Sequence, residues 1–152
     1  MKTAVKSIFD PAVRGELRTR MGRVRPDTKP QWGKMNAPQM LAHVSAALEM
    51  GLGELAVKPK RSPLANPLGR WLVIYGMKKW PQGTPTAPEL IAAPSGDWDA
   101  ALARFTDLLE RSGSRSPAGA WPRHPVFGAM TGKHWGDLGY RHLDHHLRQF
   151  GV

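Results

Sequence analysis

The sequence predicts an all-α protein built as a four-helix bundle, with a Pro-rich irregular excursion between the second and third main helices. Four stretches repeat apolar residues on one helical face, and no stretch shows the sustained alternation of a half-buried strand. Amphipathic helices with wide apolar faces need one another for burial, which favours a bundle. The 152 residues, 41% of them hydrophobic, suffice for a single domain with its own core.

The first two helices each begin at a residue that suits an N-cap. Asp10 precedes Pro11, and proline is tolerated at the first helical position because its missing N–H costs nothing there. Asn36 is followed three residues later by Gln39, which resembles a capping box. The predicted apolar stripes are Val13, Leu17, Met21 and Val24 in the first helix and Met40, Val44, Ala47 and Gly51 in the second.

The third and fourth main helices are also predicted from a cap residue and an apolar face. The third is predicted to start near Asp97, whose carboxylate suits a helix N-terminus, and to stop near Gly113. The fourth is predicted to run from Thr131, a reasonable cap, almost to the last residue. The apolar side of the third helix consists of Trp98, Ala101, Leu102, Phe105, Leu108 and Leu109.

The segment between the second and third main helices is rich in proline and positive charge. Residues 56–96 hold seven of the 14 prolines, and within them residues 66–79 are predicted to form a short helix. The chain as a whole has 22 Lys and Arg against 12 Asp and Glu, a net charge of +10. Such a balance is typical of proteins that bind polyanions, so a basic helical binding module for nucleic acid is one alternative function. The irregular, proline-broken distribution does not suit a helix that follows phosphates, and we do not expect a nucleic-acid partner.

The chain contains no cysteine, which narrows the chemistry available to it. Thiolate nucleophiles, zinc ribbons and iron–sulfur clusters are excluded, so any metal must be held by His, Asp or Glu. The longest apolar run, residues 71–77, is far shorter than the ~20 residues that cross a bilayer. We therefore expect a cytoplasmic protein without a membrane span.

Histidines on two predicted helices suggest a metal site. His142 and His146 lie one turn apart on the last helix, about 40° from each other around its axis. His43 lies at the edge of the apolar face of the second helix. Three imidazoles that converge in a bundle interior would bind divalent zinc, nickel or iron and leave a coordination position open. Spacing alone leaves His145 as an alternative to His146, and it leaves open that all are core histidines hydrogen-bonded to their surroundings.

Three motifs resemble the DinB-like superfamily, and in particular an uncharacterised branch of it. They are WGKMNAPQMLAH at residues 32–43, HPVFG at 124–128 and HLDHHLRQFGV at 142–152. The resemblance covers nearly the whole chain, so residues 1–152 would be a single DinB-like domain. It implies a four-helix bundle with a divalent metal bound by His43, His142 and His146, and a homodimer as the assembly.

The resemblance also implies a function, and the neighbouring residues suggest supporting roles. Relatives of this kind include thiol-dependent transferases, so we expect a metal-dependent enzyme that uses a small-molecule substrate and a low-molecular-weight thiol. A bundle that binds the metal only for stability is the other alternative. Gln149 matches a glutamine common in the superfamily, and it could orient a ligand or a metal-bound water. The remaining candidates for the surroundings of the site are His145, His124, Trp32 and Trp135.

Overall fold

The computed structural model describes residues 4–152, and this part of the chain is all-α, as predicted. The described residues contain five α-helices and no strand, apart from an isolated bridge between His124 and Gly128. The helices are α1 (Pro11–Met21), α2 (Ala37–Leu52), α3 (Pro67–Trp71), α4 (Trp98–Ser114) and α5 (Gly132–Gln149). None of the helices within residues 4–152 combines the length and apolar character needed to cross a membrane.

The four main helices begin at the predicted caps. Asn36 Oδ1 accepts a hydrogen bond from the Gln39 N–H at 2.9 Å, and Gln39 Oε1 accepts one from the Asn36 N–H at 2.9 Å. This capping box satisfies two backbone donors at the start of α2. Asp10, Asp97 and Thr131 cap α1, α4 and α5 in the same way, each through a side-chain oxygen. Local sequence therefore determines where the main helices begin.

The excursion is more ordered than the sequence indicates, and its short helix is different from the predicted one. The helix α3 is followed directly by a π-helical segment, Leu72–Gly76, and later by a 3₁₀ turn, Pro88–Leu90. The wider π turn changes the angular spacing of the side chains. Leu68 and Leu72, two apolar residues that the predicted helix carries, are 73% and 46% exposed, while Ile74 in the π segment is fully buried.

Four helices enclose the main core. Among the helices, α2 packs most extensively against α4, and α1 and α2 both contact α5. The largest fully buried side chains of this core come from α1, α2, α4 and α5; they are Leu17, Met21, Met40, Leu41, Val44, Phe105, Leu108, Leu109, Leu143 and Leu147. Burial of a side chain of this size contributes roughly 1.5–3 kcal/mol, so this cluster supplies much of the driving force for folding.

A second apolar cluster attaches the excursion to α5. The π segment contacts α5, and the buried members of the cluster are Ala46, Met50, Ile74, Leu90, Phe127, Met130, Trp135 and Leu138. The excursion is thus held against the same helix that carries four of the six histidines.

The close packing of the N-terminal segment on α5 predicts the effect of an added methyl group at Gly136. A Cβ at Gly136 would lie 2.4 Å from ring carbons of Phe9, whereas a Cβ at Gly15 would have only one atom of Arg18 within 4.0 Å. We expect Gly136→Ala to lower the free energy of unfolding by about 1–3 kcal/mol because of overpacking. Gly15→Ala, also inside a helix, should raise it by about 0.5–1 kcal/mol. Urea denaturation measures both, and a stabilised Gly136→Ala would contradict the packing described.

Candidate metal centre

Three histidines from two helices meet where α2 packs against α5. His43 of α2 faces His142 and His146 of α5, and the ring centroids of the three pairs are 4.8–4.9 Å apart. One nitrogen from each ring lies within 4.8 Å of the other two, and the Nε2 atoms of His43 and His142 are 2.9 Å apart. A tetrahedral ion with Zn–N bonds of 2.0–2.1 Å needs ligand nitrogens about 3.3 Å apart. The spacing of the three nitrogens, from 2.9 Å to at most 4.8 Å, brackets this value.

The outer nitrogen of His43 is held by a backbone carbonyl. His43 Nδ1 lies 3.0 Å from the carbonyl oxygen of Leu90, in the 3₁₀ turn that packs against α2. Because a carbonyl oxygen only accepts, Nδ1 carries the proton and donates it. The neutral ring then presents the lone pair of Nε2 to the other two histidines. His43 is only 4% exposed, so this orientation is fixed by packing as well.

The outer nitrogen of His146 is held by a side-chain amide. His146 Nδ1 lies 2.8 Å from Gln149 Oε1, and Gln149 Nε2 donates a hydrogen bond to the Trp32 carbonyl oxygen at 3.0 Å. The Trp32 carbonyl accepts from the amide nitrogen, which turns Oε1 toward the imidazole. His146 Nδ1 therefore donates, and Nε2 is left with a lone pair. Metal-ligating histidines typically have their second nitrogen bonded to such a partner.

The third ring, His142, completes the set. His43 Nε2 carries no proton and can only accept a hydrogen bond. In the 2.9 Å contact between the two Nε2 atoms, His142 Nε2 is therefore the donor. Binding of a cation in this space would replace that hydrogen bond and require the other tautomer of His142. Two of the three rings are therefore already in the tautomer that binds metal, and one has to change.

Burial keeps the three imidazoles uncharged. Desolvation lowers the pKa of His43, lowers that of His146 to about 3 and lowers that of His142 well below its usual value. Each ring also disfavours charge on its neighbours, since the proximity of the others contributes to the lowered pKa of His142 and His146. Neutral imidazole is the form that binds a metal ion.

The structure separates His145 from this trio. Its ring lies 5.8 Å from Trp32 and 5.8 Å from Trp80, measured between centroids, and it contacts the side of His146 at 5.2 Å. It lines a cavity of about 420 Å³, here called the outer pocket, and two residues of its lining, Trp80 and His145, have rings beside those of His142 and His146. Other residues that line this pocket are Trp32, Lys78, Lys79, Trp80, Arg141, Asp144 and Arg148.

Trp135 belongs to the second apolar cluster, and the ring of His124 packs against it at 5.3 Å between ring centroids. His124 Nδ1 accepts hydrogen bonds from the N–H groups of Val126 and Phe127, at 3.1 and 3.2 Å, so this ring shapes the loop before α5. The indole of Trp135 donates to the Pro122 carbonyl oxygen at 3.0 Å. Both side chains have local structural partners, and their role in the surroundings of the histidine site stays a prediction.

Several residues at the site give no recognisable signal in the sequence. The Leu90 carbonyl is a backbone group, and any residue type supplies one. Trp80 and Arg141 lie in or against the irregular excursion, where no periodic pattern indicates which side chains point toward α5. The proximity of Trp80 to the histidines depends on how residues 72–80 fold back on α5.

The lowered pKa of His124 predicts an acid-sensitive contribution to stability. Burial lowers this pKa from 6.5 to about 4, so between these values the unfolded chain takes up a proton that the folded chain does not. Stability is therefore lost as the pH falls through this range. His124→Asn keeps a side-chain acceptor for the two N–H groups but cannot titrate. We expect the free energy of unfolding of the variant to fall by about 2 kcal/mol less between pH 6.5 and 4 than that of the wild type. Urea denaturation at the two pH values measures both. Equal losses for the two proteins would contradict this account.

Comparison with known families identifies the chain and corrects one expectation. The model of a family described as "Protein of unknown function (DUF1569)" matches residues 14–151, nearly the whole chain. Comparison with curated proteins and with solved structures returns no match. The predicted membership of the DinB-like superfamily is wrong, because DUF1569 is a distinct family. The motifs quoted for that resemblance are short histidine and helix-cap patterns, which unrelated helical proteins can share. The chain belongs to the DUF1569 family.

Proposed function

We propose that α1, α2, α4 and α5 form a four-helix bundle whose interior binds one divalent metal ion through His43, His142 and His146. The observation that carries this proposal is the orientation of the rings. The Leu90 carbonyl and Gln149 Oε1 occupy the outer nitrogens of His43 and His146, so their remaining nitrogens face a common point. Zinc, nickel and iron all accept three imidazole ligands.

We further propose that the bound ion makes the protein a metal-dependent enzyme that acts on a small molecule. Three protein ligands leave at least one position of a four-coordinate ion for water or substrate, which is the pattern of catalytic rather than structural zinc sites. The outer pocket is the candidate route to that position from solvent, because the rings of its lining residues Trp80 and His145 lie 6.5 Å from His142 and 5.2 Å from His146, between centroids. When bound, the metal would act as a Lewis acid that lowers the pKa of a coordinated water or thiol.

Transfer of a low-molecular-weight thiol is the reaction to test first. The chain holds no cysteine, so the thiol would come from a cosubstrate and would bind the ion as a thiolate. We expect the loaded protein to consume a thiol–electrophile pair and His43→Ala and His142→Ala to be inactive. Chelation that lowers the melting temperature, without turnover of any pair, would favour a metal that only stabilises the bundle.

The metal site predicts the metal content of single-histidine variants. Protein purified without a His-tag and saturated with zinc, nickel or iron should retain one ion per chain after dialysis. The variants His43→Ala, His142→Ala and His146→Ala should lose it, because two imidazoles do not hold the ion through dialysis. His145→Ala is the matched control, since it removes an imidazole from the same helical turn but not from the trio, and it should retain the ion.

Elemental analysis gives the metal content, and circular dichroism shows whether each variant is folded. Retention of the ion by a folded His43→Ala variant, or loss of it from His145→Ala, would contradict the assignment. A wild-type protein that binds none of the three ions would refute the metal site altogether.

The hydrogen bond from His146 to Gln149 predicts a measurable effect on affinity. Gln149→Leu removes the acceptor for Nδ1, so we expect the zinc affinity to fall about 10–100-fold. Gln149→Glu restores an acceptor oxygen at the same place and should recover part of the loss. Competition with a chromophoric chelator measures the affinities. Equal affinities for Gln149→Leu and the wild type would show that the amide does not orient the ligand.

A further inference from the structure

We propose that the outer pocket binds a small organic anion, with its carboxylate or phosphate held by Lys78, Lys79 and Arg141 and its apolar body against Trp80. The claim that this anion is the substrate rests on the proposed metal function. The claim that the pocket binds an anion rests only on the residues that line the pocket.

The charge of the pocket is the first argument. Four cationic side chains and one carboxylate line it. That carboxylate, Asp144, is already paired with Arg148 at 3.0 Å and with Arg20 at 2.9 Å. Among the described residues, the other three cations of the pocket, Lys78, Lys79 and Arg141, have no ion-pair partner. The pocket therefore concentrates positive charge that an anionic ligand could neutralise.

The second argument is that the fold holds Arg141 in place and puts Lys78 and Lys79 beside it in the lining of the pocket. The guanidinium of Arg141 donates to the carbonyl oxygens of Ile74 and Met77, at 3.2 and 2.6 Å. Lys78 and Lys79 follow Met77 directly, so the end of the π segment brings three cations to one wall. Two N–H groups of Arg141 are used by these carbonyls, and a guanidinium has five. Donors remain for a planar carboxylate or a phosphate.

The third argument is the aromatic wall. Trp80 donates its indole N–H back to the Val73 carbonyl oxygen at 2.9 Å, which fixes the ring beside Arg141, 5.4 Å from the guanidinium carbon to the ring centroid. The same ring lies 6.5 Å from His142 and 5.8 Å from His145, between centroids. A ligand that stacks on Trp80 with its charge on the cationic wall would lie beside the three histidines. A cavity of about 420 Å³ suits a small molecule and no polymer.

These features select the ligand class. A free inorganic anion would use the cations but not the indole, and a neutral aromatic molecule would use the indole but not the cations. An aromatic carboxylate or phosphate ester uses both. Phenyl phosphate and benzoate are suitable probes, with benzamide as the neutral counterpart and inorganic phosphate as the counterpart without an apolar body.

The test is titration of the full-length protein with these four probes at constant ionic strength, followed by calorimetry and by tryptophan fluorescence. We expect saturable binding of phenyl phosphate or benzoate, at least about tenfold tighter than that of benzamide and of inorganic phosphate. The double variant Lys78→Gln/Lys79→Gln should weaken binding about tenfold or more, and Arg141→Gln should do the same. Lys58→Gln/Lys60→Gln is the matched control, because it removes the same charge from the same excursion outside the pocket and should bind like the wild type.

Two results would overturn the proposal. One is the absence of saturable binding to the wild type. The other is a loss of affinity in the Lys58/Lys60 control as large as that in the Lys78/Lys79 variant, which would show that binding depends only on the overall charge of the protein. Repetition with His43→Ala separates this proposal from the metal site. Anion binding by His43→Ala would show that the pocket works without the metal, and anion binding by a wild-type protein that takes up no metal would leave the pocket assignment standing and refute the metal function. Metal uptake without anion binding would refute the pocket assignment alone.

Discussion

The packing of α2 against α5 is the constraint on which the candidate site depends. A displacement of either helix by one residue would turn its histidine about 100° away from the others. The apolar residues that flank the histidines on both helices fix this register, because Met40 and Val44 on one side and Leu143 and Leu147 on the other are fully buried. The same core that stabilises the fold therefore sets the distances between three imidazole rings.

The excursion between α2 and α4 supplies what the helices alone lack. Leu90 of its 3₁₀ turn holds the tautomer of His43, and the end of its π segment anchors Arg141 and positions Trp80. A π segment is less stable than an α-helix and tends to be found at functional sites. Here the carbonyl of Ile74 in this segment and that of Met77 directly after it accept hydrogen bonds from Arg141. The excursion is better described as the wall of the outer pocket than as a connection.

Much of the helical framework could be predicted because its determinants are local. Caps such as Asn36 with Gln39, and the 3.6-residue repeat of apolar side chains, are both present in short stretches of sequence. The convergence of His43 with the pair on α5 was also accessible, since all three lie on or beside apolar stripes. The π segment Leu72–Gly76 was not, because no periodicity of the sequence indicates a change from α to π geometry. The family was mistaken because the motifs used were too short to distinguish one helical family from another.

The charges of the candidate site and of the pocket fit together. Three neutral imidazoles would leave a divalent cation with its full charge, and their burial, which lowers the pKa of His146 to about 3, keeps the rings themselves from becoming positively charged. No carboxylate belongs to the histidine cluster within residues 4–152. The nearest acid of the outer pocket, Asp144, is engaged by Arg20 and Arg148. On the proposed assignment, the missing negative charge must then come from outside the chain, as a hydroxide, a thiolate or the anionic group of a substrate. An open cation beside a cationic wall favours a ligand that brings its own negative charge, and this requirement links the two proposals physically.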